Sequence, residues 1–251
     1  MVVTRGCIAR CMMALVMGFP LAVFAQAGPP MATDDPGTPG DGHIEVNFAA
    51  LATRTSNGST YELPLIDANY GLGDRIQLKL ETPYEIDTHD GRRGGVGSGL
   101  VGVKWRFLDN GDDGWNVSTY PQIGFNYPHI SSTRDGLAER GVSYLLPVEA
   151  QRTFGKIEFG VEAGRWLRPD GDAWAGGVVV GTEVNEVWEA MVEVHDERLV
   201  AAARDELLVN VGSRVKLSSH VTALVSAGRD VHNSIDRPAD LLLYIGLQLT
   251  H

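Results

Sequence analysis

From Ile44 to the end of the chain, apolar residues recur at every second position, and the positions between them are polar, charged or glycine. A period of two puts one residue type on each face of an extended strand, and helical spacing is nearly absent. The cleanest run is Ile76, Leu78, Leu80, Thr82, Tyr84 and Ile86, interleaved with Gln77, Lys79, Glu81, Pro83 and Glu85. Val101, Val103, Trp105 and Phe107 alternate with Gly102, Lys104 and Arg106 in the same way. Later, Trp188, Ala190, Val192 and Val194 oppose Glu189, Met191, Glu193 and His195, and Val209, Val211, Val215 and Leu217 oppose Asn210, Gly212, Arg214 and Lys216.

About twelve such segments follow one another, near 43–54, 60–71, 75–86, 98–108, 115–127, 143–153, 157–167, 174–184, 188–196, 205–217, 221–229 and 240–250. Each has about the ten residues a tilted strand needs to cross a bilayer. Turns after every second segment are short: Leu72-Gly73-Asp74, 110–114, Phe154-Gly155-Lys156, Asn185-Glu186 and 218–220. The intervening connections include longer stretches at 87–97, 128–142, 197–204 and 230–239. An even strand number with short turns on one side and long loops on the other predicts an all-β, antiparallel up-and-down transmembrane barrel of about twelve strands. Aromatic residues predict two interface girdles, with Trp105, Phe107, Trp115, Phe154 and Trp188 near the short turns and Tyr84, Tyr127, Trp166 and Trp174 near the long loops. The last segment alternates to the chain end, as a barrel-assembly signal does, although His251 stands where a terminal aromatic is usual. A soluble sandwich or lipocalin-like barrel would show the same period with its apolar face turned inward.

Residues 1–27 read as a secretory leader: Arg5 and Arg10, then an apolar run from Met12 to Phe24, then small residues that allow cleavage before Gln26 or Gly28. Both cysteines, Cys7 and Cys11, lie in that leader, so the mature chain is expected to have no disulfide, thiol nucleophile or thiolate metal site. The whole chain carries 21 basic and 32 acidic residues, a net charge of −11 that loss of Arg5 and Arg10 makes more negative. Such a balance argues against nucleic acid as a partner. Residues 28–41, rich in Pro, Gly and Asp and without period, are either a small lumenal plug or a periplasmic tail, and the barrel occupies 42–251.

The stretch Gly28-Pro29-Pro30-Met31-Ala32-Thr33-Asp34-Asp35-Pro36, followed by Gly42-His43-Ile44-Glu45, resembles the start of the outer-membrane barrels of the phenol meta-degradation pathway family, whose members are called transporters. Leu65 to Arg75 (LIDANYGLGDR) with Ile76 to Pro83, and Gly99 to Phe107 (GLVGVKWRF), resemble the same family. The resemblance implies an outer-membrane location and passage of small, aromatic or other hydrophobic compounds. Its fold alone does not establish a substrate.

With the apolar face toward lipid, the lumen receives Lys79, Glu81, Lys104, Arg106, Glu158, Glu162, Glu183, Glu189, Glu193, Arg214 and Lys216, together with Glu45, Asp67, Glu85, Glu149 and His195. Charges inside a barrel should be paired. Strand adjacency predicts Glu189 opposite Lys216, Glu193 opposite Arg214, and Glu81 near Lys104. Either these pairs fill the interior, or an acidic wall faces a basic one across a wet pore and selects solutes. The expected function is passive passage of small molecules without cofactor or metal, with membrane lipid and the barrel-assembly machinery as partners. A closed barrel acting through loops 87–97 and 128–142 is the alternative. A rim hydrolase built on His195-Asp196-Glu197, or on His129 with Ser131, Ser132 and Asp135, would need a fixed spacing that the chain does not show. His89 with Asp87 and Asp90 reads as a polar loop tip rather than a metal site.

Overall fold

The computed structural model describes residues 28–111, 114–201, 204–234 and 238–251; the predicted leader, with both cysteines, lies outside them. Fourteen strand segments form one sheet: β1 (Ile44–Thr55), β2 (Gly58–Leu72), β3 (Ile76–Asp87), β4 (Arg93–Val96), β5 (Gly99–Leu108), β6 (Asn116–Thr119), β7 (Gln122–Phe125), β8 (Ser143–Phe154), β9 (Ile157–Leu167), β10 (Ala173–Asn185), β11 (Trp188–Leu199), β12 (Arg204–Lys216), β13 (Val221–Asn233) and β14 (Leu241–Thr250). They make twelve staves. β4 and β5 both pair with β3, continuing one stave across Gly97-Ser98. β6 and β7 both lie between β5 and β8, and Tyr120-Pro121 interrupts that stave.

Every pairing between the strands is antiparallel and joins staves adjacent in sequence, and β1 pairs with β14 to close the sheet. The ends are sealed by a reciprocal pair of backbone bonds, Ile44 N–H to the His251 carbonyl and His251 N–H to the Ile44 carbonyl, each 2.9 Å. Closure leaves no strand edge in the barrel wall, which a bilayer demands of any sheet that crosses it. Both ends of the barrel sequence meet on the side of the short turns.

The direction of the alternation excludes the soluble alternative. Apolar residues point outward and are exposed, from Phe48 and Val103 through Leu146, Val192 and Val211 to Ile245 at 63%. The inward positions include Asn47, Lys104, Glu149, Glu193 and Asn210, all buried. A soluble barrel of the same strands would reverse these two sets. Staves of ten residues or more, tilted at roughly 40°, are long enough for an apolar band of about 25 Å.

One irregularity re-aims side chains. β2 carries an extra residue at Leu63-Pro64, where Glu62 lies opposite Glu85 but Leu65 lies opposite Pro83. The same slip appears on the β1 side, where Ala49 pairs with Leu65 and Leu51 with Glu62. Pro64 has no N–H to place in the ladder, and a bulge is where a strand tolerates that loss.

At the long-loop end the ladders run past the predicted segment ends. β11 reaches Leu199, β13 reaches Asn233, and 93–96 is a strand where a loop was expected. The charges of Asp196, Glu197 and Arg198 interrupt the apolar pattern, but the backbone pairing continues beyond it. Arg168 with Glu197 at 2.6 Å and Arg198 with Asp205 at 3.4 Å tie these outer hairpins together. Residues 126–142 fold back over β4, with Ser132 N–H donating to the Val96 carbonyl at 2.8 Å and Leu137 and Ala138 buried beneath.

Candidate functional site: a segment seated in the lumen

The inward faces of β3, β5, β8, β9, β11, β12 and β13 surround residues 28–41. Residues 28–33 form a compact turn, with Met31 N–H on the Gly28 carbonyl and Gly28 N–H on the Thr33 carbonyl. Arg214, on β12, donates to the Pro29 carbonyl at 2.9 and 3.0 Å and to the Gly28 carbonyl at 3.1 Å. Ser226, on β13, donates to the Pro30 carbonyl at 2.9 Å. Met31 packs with Val179 and Met191 in an apolar contact inside the barrel.

The chain then crosses to the acidic wall. Ala32 and Thr33 N–H groups donate to the two oxygens of Glu193 at 3.1 and 2.5 Å, and the Asp34 N–H donates to Glu162 at 2.7 Å. On the other side, Lys104 Nζ lies 2.9 Å from Asp34 Oδ1 and also donates to the Asp35 carbonyl. Burial alone would raise the Asp34 carboxyl, but Lys104, with Lys79 behind it, holds it below the ordinary carboxylate range. Among the described residues the Asp35 carboxylate accepts from the Gly37 N–H but meets no cation directly, and burial pushes it up to about 7. Thr38 Oγ1 reaches the Asp74 carbonyl, and Gly42 N–H the Gly71 carbonyl, so the segment enters β1 along the turn between β2 and β3.

Three inward glycines make room for it. A Cβ on Gly71 would stand 1.7 Å from the Gly40 carbonyl oxygen, one on Gly177 1.9 Å from Thr33 Oγ1, and one on Gly212 2.0 Å from Met31 Cε.

Lys104 is the centre of the polar network. It is 2% exposed, lies 3.7 Å from Glu149, and sits over the ring of the buried Tyr120 at 4.6 Å. Glu149 is fully buried and also accepts from Ser118 Oγ. Tyr120 accepts from Gln77 Nε2 at 3.0 Å. What remains open between Lys104, Lys79, Asp35, Asp67, Glu45 and Arg214 is a polar cavity of ≈ 30 Å³, about the room one water needs.

The predicted partners differ from those observed. Glu189 lies opposite Arg214, 3.6 Å away as an ion pair, rather than opposite Lys216. Glu193 lies opposite Asn210, which donates to it at 3.2 Å, and not opposite Arg214. Gln77, not Glu81, is the register partner of Lys104, and Glu81 pairs with Lys79 at 2.9 Å. Lys79 also meets Asp67 at 3.5 Å. Arg106 turns to Asp109 and the Asp74 carbonyl, and Lys216 is exposed at the end of its strand; both sit at the short-turn mouth. Glu183 lies opposite Glu189 near that mouth. Glu158 is buried, and its Oε2 has no hydrogen-bond partner among the described residues.

Of the predicted girdle, Trp105, Phe107, Trp115, Trp188, Tyr84 and Trp174 are exposed on the outer face. Tyr127 lies flat over Gly99 and bonds Thr82 Oγ1 at 2.5 Å. Trp166 is the exception. It shares the inward parity of Glu158 and Glu162, opposite the buried Ala173 and Leu145, and Arg168 covers its ring at 4.5 Å. At the rim, His89 faces Asp87 at 3.3 Å, and Ser131 Oγ donates to the Gly97 carbonyl. Among the described residues no group of three or more His, Cys, Asp or Glu is arranged to hold a metal ion.

No protein-family model and no curated protein matches the sequence. Solved structures match in fold. The COG4313 outer membrane channel from Pseudomonas putida F1 superposes with a TM-score of 0.66 at 12% identity, covering 88% of this chain and 100% of that one. The KdgM porin gives 0.58 at 8% identity, and the NanC porin 0.56 at 11%, each covering 82% of this chain and 98% of the other.

Proposed function

We propose that the chain is an outer-membrane channel for passive passage of small molecules, held shut in the described state by residues 28–41. The carrying observation is how that segment is attached. It joins no ladder inside the lumen; side chains of the wall hold it through its backbone and through Asp34. Such a segment can leave without breaking a strand pairing, and it would uncover a lumen with Lys79 and Lys104 on one wall and Glu162 and Glu193 on the other. Opposed charged walls select among polar solutes and need neither cofactor nor energy coupling. The fold shared with the outer membrane channel and the two porins supports this reading, as does the outward apolar face.

The predicted leader supports export before insertion, with membrane lipid and the barrel-assembly machinery as partners. The resemblance to the phenol meta-degradation family supports an aromatic or hydrophobic solute. The charged lumen favours a polar one. The small cavity beside Lys104 favours a second reading, a permanently closed barrel with a structural or surface role. Single-channel recording of the refolded mature chain in planar bilayers separates the two. Discrete steps whose frequency rises in Gly71→Ala are expected of a plugged channel. Absence of steps in both proteins would overturn it.

A further inference from the structure

The segment that fills the lumen is held by contacts that describe a ligand. Within Asp34 the backbone nitrogen donates to Glu162 at 2.7 Å while the side-chain carboxylate meets Lys104 at 2.9 Å. Two carbons separate that nitrogen from the carboxyl carbon, the spacing of a β-amino acid. The acidic wall is underpaired in its present state. Among the described residues Glu162 and Glu193 have no cation within ion-pair distance, and each receives only neutral amide donors, from Asp34 to the first and from Ala32, Thr33 and Asn210 to the second. Amide N–H groups bring no positive charge to these buried carboxylates, so an ammonium group, which donates and also supplies the opposite charge, suits this wall better than the amides that occupy it.

We propose that Asp34 and its neighbours stand in the seat of the transported solute, and that this solute is a small zwitterion with its carboxylate on Lys104 and its amine on Glu162. The inference rests on the channel reading and names its substrate class. A free zwitterion competes with a tethered segment whose effective concentration is in the millimolar range, so the competition is read at tens to hundreds of millimolar.

The test uses the full mature chain, refolded into liposomes, with Thr33→Cys as its one cysteine. Thr33 is fully buried on the wall side of the seated segment, so a small neutral thiol reagent reaches position 33 only when the segment lifts. β-Alanine, at ionic strength balanced with sodium chloride, is expected to speed labelling at least ~5-fold and to saturate. Propionate and ethylammonium, each with one of the two groups, are expected to leave the rate unchanged. Equal acceleration by propionate, or none by β-alanine, overturns the proposal. Should Thr33→Cys fail to give the heat-shifted folded form on a gel, Thr38→Cys, also buried, replaces it. Planar-bilayer recording of the unmodified chain keeps the two readings apart. Conductance without a β-alanine effect removes the zwitterion and leaves the channel; silence in the wild-type chain and in Gly71→Ala removes the channel, and the inference with it.

Discussion

Replacing Lys104 by Met removes a cation that touches both the segment and the wall, at nearly constant volume. Lys104 lies between Asp34 at 2.9 Å and Glu149 at 3.7 Å, and Glu149 is fully buried. Removing one partner of a buried ion pair costs about 3–5 kcal/mol, because the remaining charge is left without compensation. Asp34 is partly exposed and can turn to water, whereas Glu149 is hydrated only when the lumen is empty. The penalty therefore falls on the plugged state. Taking 3 kcal/mol, the population with the segment lifted rises about 10²-fold. With Thr38→Cys as reporter, and lifting fast relative to modification, the labelling rate follows that population and rises by the same factor. Adding Glu149→Gln removes the stranded charge and should return roughly half of the effect on a logarithmic scale. An increase under ~5-fold for Lys104→Met, or equal rates for the single and double variants, would refute the reasoning that a buried Glu149 drives release.

Further outcomes follow from the same contacts. Gly71→Ala puts a methyl group into the Gly40 carbonyl, a backbone atom with nowhere to move except out, so conductance should rise while the heat-modifiability midpoint of the barrel stays within ~2 °C of wild type. Glu193→Gln turns an acceptor of three N–H donors into a group that presents an NH2 to them; a loss of about 1.5–3 kcal/mol of seating is expected, read as ~10- to 100-fold faster labelling at position 38. Arg214→Leu removes the donors to the Pro29 carbonyl and leaves the Gly28 carbonyl only the Met31 N–H, and it should accelerate labelling similarly; an unchanged rate would detach residues 28–30 from the seal. Acidity acts through Asp35, which faces Lys104, Asp34 and Arg214. Its carboxyl rises to about 7 when seated and returns toward 3.8 when released, so the contribution of its proton to seating is complete below about 4 and lost as pH rises through 7. Open time in single-channel records should be longer at pH 8 than at pH 5, and the reverse order would contradict this assignment.

Parity was the legible part of the chain. It puts Lys79, Lys104, Glu162, Glu193 and Arg214 on one face, and by the same rule it turns Trp166 to that face, although proximity to a loop had suggested the girdle. Register was not legible. Observed and expected partners of Glu189, Glu193 and Lys104 differ by even numbers of residues, the only slips that keep a side chain on its own face. Loop geometry decides between such registers, and the hairpin joining β11 and β12 continues to Leu199 and Arg204, farther than the apolar pattern indicates. Residues 28–41 lack any period, so their place could not be read from themselves. Their trace lies on the wall, in inward glycines at 71, 177 and 212, and in a buried lysine with more acidic neighbours than one stave supplies.

The bonds that seat the segment join parts of the chain made at opposite ends of synthesis. Thr33 and Glu193 are 160 residues apart, and Pro30 and Ser226 are 196 apart. Contacts of such separation form late, after the loops between them have closed. The first described residues thus have no complete binding surface until β11, β12 and β13 are in place, and the barrel exists as an empty tube before it is filled. If the channel reading holds, each molecule passes through its open form once on the way to the closed one, and a factor that delays seating during biogenesis would leave a leak in a fully formed wall.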